Sequence, residues 1–355
     1  MSILRTDLFT GTKSLMNAFA LYLFGLGLLA CQACAATITN EVSLTRGFSI
    51  KAHGENSRVA ALAFSPDNRI LASGSGTTEA ILSHGEIRLW NATNGTLIAE
   101  LKGHGGLVDA IAFSPDGKFV AGGGYRLILW DVAKRKKVQT MKPGGLVHAL
   151  AFSPDGKLLV SACRGQPYAQ VWNVETGREQ RKLNAGEDNE QTVCSVDFSS
   201  DGALLVMGGG NQSATIWDAR TWLRKSALTN TLGTDSKADF VKFSPRGDLL
   251  FTKGYFRLAG RVWNVAEKKV ILQLQGDNDL VGDVDYSPDG EFVATAGMDC
   301  MNLWEAKTGR RVQSVKGNFW SVAFSPDARL LAVGAYGGGV QVFRVVREKA
   351  EPKPQ

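Results

Sequence analysis

From Phe48 to Val346 the chain alternates apolar and polar residues in short bursts. Leu62-Ala63-Phe64, Ile111-Ala112-Phe113 and Leu150-Ala151-Phe152 each close one such burst. A tight polar stretch follows, and then an apolar run: ILASG, FVAGG, LLVSA, LLVMG, LLFTK, FVATA and LLAVG in turn. Alternation at period two predicts strands, and the polar stretch between each pair predicts a turn. The turn is spelled nearly the same way seven times. AFSPDG stands at 112–117 and again at 151–156. AFSPDN, DFSSDG, KFSPRG, DYSPDG and AFSPDA are its variants at 63, 197, 242, 285 and 323. Proline presets φ for the second turn position, serine suits the first, and glycine supplies the left-handed conformation at the fourth. Each unit therefore begins with a β-hairpin.

A second landmark follows every hairpin. IRLWN, LILWD, AQVWN, ATIWD, GRVWN, MNLWE and VQVFR each read as a third strand ending in a large aromatic and a polar residue. A short fourth strand follows a turn, often Thr-Gly as at Thr176-Gly177 and Thr308-Gly309. Four strands per 38–49 residues, seven times over, predict an all-β, seven-bladed β-propeller with four-stranded antiparallel blades.

These paired landmarks resemble the WD-repeat family over nearly the whole stretch from Phe48 to Val346. The resemblance implies that the first strand in the sequence completes the last blade, and Arg46–Gly54 is the segment placed to do so. It also implies a buried His–Asp–Ser/Thr–Trp hydrogen-bond network in each blade. Here the chain departs from the family. The Gly-His signal is clear only at Gly103-His104 and partial at Ala52-His53, and the turn aspartate is clear only at Asp299, with Asn211 as a substitute. The network is therefore expected to be missing from most blades, leaving apolar packing between blades to carry the stability.

The N-terminus carries a different pattern. Arg5 and Lys13 precede a charge-free apolar run from Ser14 to Ala36 that ends in small residues, the layout of a secretory signal. Ala33-Cys34-Ala35 fits signal cleavage. Leu28-Leu29-Ala30-Cys31 resembles a bacterial lipoprotein box, with Cys31 as the lipidated residue. A retained membrane anchor is the third reading, since the run is just long enough to span. The expected organisation is a signal over 1–35 (or one ending before Cys31), a propeller over 36–346 and a flexible tail over 347–355. The expected location is the bacterial envelope, periplasmic or lipid-anchored, with the membrane touched only through that lipid.

Net charge is +6 in 355 residues, which permits anionic partners without requiring them. Basic residues are scattered apart from Lys134–Lys137, which argues against nucleic acid. Cleavage after Ala35 leaves Cys163, Cys194 and Cys300, too few for a disulfide framework. Cys163 and Cys194 are expected near one another at the tops of blades 3 and 4, where a disulfide needs Cα atoms about 5–6 Å apart. The four histidines, His53, His84, His104 and His148, show no metal-ligand spacing, and no phosphate loop or nucleophile elbow is present. No cofactor, metal or catalytic residue is expected.

The loops between second and third strands are richer. By the family's geometry they open on the same face as the loops entering each blade. Tyr125, Arg126, Arg164, Tyr168, Tyr255, Phe256, Arg257 and Tyr336 lie on them, with Trp320 at the start of blade 7 and a long insertion at Gly74–Glu86 in blade 1. Tyr, Trp and Arg are the usual anchors of protein interfaces. The expected function is thus a monomeric, non-catalytic platform for a protein or peptide partner. The alternative is an exported enzyme or small-ligand binder using the central channel. One further constellation stands out. The residue before each repeated aromatic is alanine in four blades but Asp197, Lys242 and Asp285 in three successive ones. That predicts Lys242 bridging two carboxylates on the channel wall. If Lys242 is partly buried, Lys242→Ala is expected to cost more than a surface change, about 3 kcal/mol.

Overall fold

A computed structural model describes residues 42–76, 85–185, 192–209, 212–228, 238–254, 259–275 and 281–347. Seven antiparallel four-stranded sheets follow one another along the chain. Each inner strand touches the inner strands of the next blade and of the previous one, and the inner strand of blade 7 (Phe319–Phe324) meets that of blade 1 (Arg58–Phe64). The chain is a closed seven-bladed propeller.

Closure uses the N-terminal strand. Val42–Lys51 pairs antiparallel with Gly339–Arg347 and becomes the outermost strand of blade 7. It starts four residues earlier than the sequence pattern marks, because its long partner runs on to Arg347. A register shift between Arg46 and Phe48 accommodates the extra length. Gly47 sits at that bulge, where a side-chain carbon would come within 2.9 Å of the Val342 carbonyl oxygen.

The core lies between blades. Seven clusters of buried residues exist, and each joins two neighbours: Leu127, Leu129 and Met141 of blade 2 with Val147, Leu159 and Trp172 of blade 3, for example. The second strand of a blade is buried on both faces, as at Leu71, Ala72 and Ser73, which explains its unbroken apolar run.

The repeated turn is held as its residues require. In blade 1 Ser65 Oγ donates to Asp67 Oδ1 (2.6 Å) and accepts from the Ile70 amide (2.9 Å). The same pair of bonds recurs from Ser114, Ser153, Ser199, Ser287 and Ser325. Blade 5 has Arg246 in the aspartate's place, and Ser244 turns to Asp248 instead. The fourth position is left-handed throughout: glycine in five blades, Asn68 (φ 62°) in blade 1 and Ala328 (φ 58°) in blade 7.

The buried polar network survives in half. Five tryptophans, Trp90, Trp172, Trp217, Trp263 and Trp304, donate to a Ser or Thr hydroxyl at 2.8–3.2 Å. Among the described residues a histidine joins only in blade 1, where His53 Nε2 lies 2.9 Å from Ser73 Oγ. Burial lowers the His53 pKa to about 3, so the ring is neutral. In blade 2, Gly122 replaces the serine and Trp130 Nε1 has no partner. His104 fills the space: a carbon on Gly122 would fall 2.6 Å from its Nε2. The hydroxyl–indole half is thus far more widespread than the histidine signals suggest.

An alanine with positive φ pays a steric cost that glycine does not. Ala328→Gly is expected to raise unfolding free energy by about 1 kcal/mol, read by chemical denaturation. No change, or a loss, would contradict the strain.

Candidate functional site

Six inner strands share an irregularity that builds the site. Their pairing slips by one residue, leaving Ala60, Asp109, His148, Cys194, Gly282 and Trp320 as the extra residue. A bulge re-aims its side chain and sharpens the local twist. These residues lie near the starts of the inner strands, on the face where the second-to-third-strand loops open, since Val147 pairs with Cys163 at that end.

Two of them, Asp109 and His148, join Arg58 in a polar chain around the channel mouth. Arg58 Nη2 donates to Asp109 Oδ1 at 3.0 Å, and His148 Nδ1 lies 2.8 Å from Asp109 Oδ2. The link spans blades 1, 2 and 3. Asp109 has a side chain only 4% exposed. Burial opposes its ionisation, but His148 and Arg58 together outweigh it and hold the carboxyl below its usual range. On the other side the Arg58 guanidinium lies over the Trp320 ring at 4.2 Å from its centroid. Trp320 meets Tyr336 edge-on at 5.7 Å, and Arg58 and Tyr336 form a β-bridge. Arg58 is therefore locked between a carboxylate and an aromatic face.

Of the sequence-predicted face, Trp320 and Tyr336 are brought together. Tyr125 is exposed and covers Gly106 in the loop entering blade 2. Arg126 and Arg164 are exposed. Tyr168 lies at the rim, its ring covered by Lys182 of the outer strand at 4.4 Å. Tyr255, Phe256 and Arg257 lie outside the described residues, as do Cys31, the rest of the N-terminal segment and most of the blade 1 insertion. Cys163 and Cys194 are free thiols. Arg58, Asp109 and His148 escaped the sequence reading. Aligning the fourth residue before each repeated aromatic would have gathered Asp109, His148, Cys194 and Trp320.

Deeper along the inner strands, Lys242 Nζ lies 3.8 Å from Asp197 and 3.9 Å from Asp285. The carboxylates do a second job. Asp197 accepts the amide of Phe243 (2.8 Å), and Asp285 that of Phe324 (2.8 Å), each on the next blade. They thereby satisfy backbone donors on the unpaired channel-side edge of an inner strand. Asp283, two residues before Asp285 and so on the same strand face, does likewise for Val322 (3.0 Å) and also accepts from Val284 (2.8 Å). Burial pushes the Asp283 pKa up to about 7, against those two bonds. Burial also raises Asp197 and Asp285, opposed by Lys242, while Asp197 chiefly raises Lys242 and keeps it protonated. Among the described residues, no group of three or more His, Cys, Asp or Glu is placed to hold a metal ion.

A closed antiparallel propeller with an aromatic and arginine cluster at one channel mouth defines a class of ring-shaped repeat proteins. Comparison with known families agrees. Residues 80–342 match the family model described as IFT122 first beta-propeller, and residues 45–91 match WD domain, G-beta repeat. The chain belongs to the WD-repeat β-propeller family. It is 25% identical over 194 residues to Protein groucho of Drosophila melanogaster, covering 50% of this chain and 25% of that protein. It is 27% identical over 185 residues to Autophagy-related protein 16 of Arabidopsis thaliana, covering 49% of this chain and 34% of that one. The matches thus span about a third or less of those relatives' length.

Two measurements follow. Lys242 is 39% exposed and sits near the outer limit of ion-pair distance, so Lys242→Ala should cost about 1 kcal/mol, less than the figure expected from the sequence. A loss of several kcal/mol in chemical denaturation would contradict this. Asp283 binds its proton more tightly folded than unfolded. Its contribution to stability is therefore complete below about pH 4 and lost as pH rises to about 7. Thermal melts across that range should show the decline, and Asp283→Asn should flatten it. An unchanged slope in the variant would rule out this assignment.

Proposed function

We propose that the protein is a non-catalytic scaffold that holds a protein or peptide partner across the channel mouth. We propose further that it works in a bacterial cell envelope, exported and either free in the periplasm or anchored through a lipid on Cys31. The observation that carries the binding role is the Trp320–Arg58–Tyr336 cluster. Tyr336 is 39% exposed, so the cluster is reachable from solvent. Trp, Tyr and Arg dominate interface energetics when they are fixed in place. Here Arg58 and Trp320 are held before any partner arrives, which lowers the ordering cost of binding. Membership of the WD-repeat family supports a surface that binds rather than reacts. The envelope assignment rests on the basic start and the charge-free run of the N-terminal sequence.

Affinity capture with the tagged full chain from envelope extracts of the source cells tests the binding role. Trp320→Ala should reduce recovery of the specifically captured protein by roughly 30-fold, the size of a hot-spot loss. Tyr168→Ala, at the rim, should leave it nearly unchanged. Equal capture by wild type and Trp320→Ala would exclude this site. Intact mass of the exported protein tests the location. A start at lipidated Cys31 or at Ala36 supports it, and a mass retaining Met1 contradicts it.

A further inference from the structure

The outer strands of blades 2 to 4 carry a concentration of charge that the channel-mouth site does not use. The last turns and outer strands of these blades cover residues 131–142, 174–184 and 218–228. Together they hold eleven Lys and Arg against four Asp and Glu. That surplus exceeds the +6 of the entire chain, so the remainder is close to neutral. All eleven cations are exposed. The equivalent segment of blade 1, residues 91–102, has one of each sign, that of blade 5, residues 264–275, has two Lys against one Glu, and that of blade 6, residues 305–316, has four Lys and Arg against one Glu without a basic neighbour of equal size in blade 5.

Contacts between blades make the three segments one surface. Gln139 of blade 2 donates to the Glu175 carbonyl in the turn of blade 3 (2.6 Å). Arg181 of blade 3 lies over the Trp222 ring in the turn of blade 4, 5.5 Å from its centroid. Val138, 48% exposed, and Leu223, 68% exposed, sit among the cations.

Edge strands need charge to deter pairing with other chains, and Lys is the usual choice. The surplus of seven cations over three neighbouring blades also gives this flank a positive potential. The sign selects an anionic partner. Three blades of seven turn through roughly 100° between the first and the third, so a flat bilayer meets only part of this convex belt at once. Single-stranded nucleic acid stacks its bases on open aromatic faces. Here Trp222 and Tyr168 each already carry one of the protein's own cations on a face. An extended peptide fits better. Among the described residues, the outer strands Lys136–Met141, Glu179–Asn184 and Arg224–Leu228 are the last of their sheets. Val138 and Leu223 offer apolar contact beside them.

We propose that the outer flank of blades 2 to 4 is a docking surface for an acidic, extended segment of a partner protein, separate from the channel-mouth site. Fluorescence anisotropy with the full chain and a labelled poly-glutamate peptide tests it. The peptide should bind saturably and more weakly as salt rises. The triple variant Lys136→Glu, Arg181→Glu, Lys225→Glu should weaken binding by at least roughly tenfold. A charge-matched triple elsewhere, Lys51→Glu, Lys269→Glu, Lys307→Glu, should stay within about twofold of wild type. Trp320→Ala should also stay within that range, so that failure at the channel mouth and failure here are distinguishable. Thermal melts confirm that each variant is folded. Equal losses in the two triples would reduce the effect to net charge, and absence of saturable binding would remove the site. Belt-dependent binding of duplex DNA, or of phosphatidylglycerol vesicles, tighter than that of the peptide would overturn the choice of partner.

Discussion

Nine residue pairs between Val42–Lys51 and Gly339–Arg347 hold the ring shut, and the rest of the molecule depends on them. A blade buries its apolar faces only against its neighbours, so an open ring would expose two of them to water. The closing strand contributes directly to both cores at the seam. Leu44 packs into the cluster between blades 6 and 7, and Ile50 into the one between blades 7 and 1. Just beyond it, Arg88 Nη1 donates to the Ala52 carbonyl, and His53 reaches Ser73 inside blade 1. One strand therefore ties the last blade to the first by backbone pairing, apolar burial and buried polar contacts together.

Closure also makes the candidate site. Arg58 belongs to blade 1, while Trp320 and Tyr336 belong to blade 7, so their cluster straddles the seam. The Arg58–Asp109–His148 chain carries the same link on into blade 3. On the far side of the channel, Asp197, Asp283 and Asp285 bond to amides of the following blade. Polar side chains thus do at the inner edge what apolar side chains do between the sheets: each fastens one blade to the next.

The repeat was plain in the sequence because its turn has strict chemical demands. Serine must reach an aspartate, and the fourth residue must tolerate a left-handed backbone, so the same letters recur in blade after blade. Asp197, Lys242 and Asp285 were legible for a related reason, since strand alternation places one position of every inner strand on a common face. Arg58, Asp109 and His148 were not, because a bulge shifts the pairing by one residue and breaks that simple period. The basic flank was visible only as Lys134–Lys137. Its other members lie some forty and eighty residues further on, and only the packing of one blade's turn on the next blade's strand joins them. The histidine signals marked only part of the tryptophan network, because the hydroxyl nine residues after each repeated aromatic is the more durable partner in most blades that keep it.

Hydrogen exchange on Ile50→Asp tests the dependence on closure most directly. Ile50 is buried at the seam, and a carboxylate there carries a desolvation cost that the strand pairing must bear. Faster exchange is expected in the inner strands of blades 1 and 7, Arg58–Phe64 and Phe319–Phe324, before any loss of protection in blade 3. Unchanged protection in those two strands would show that the ring and the site on its seam do not depend on the closing strand.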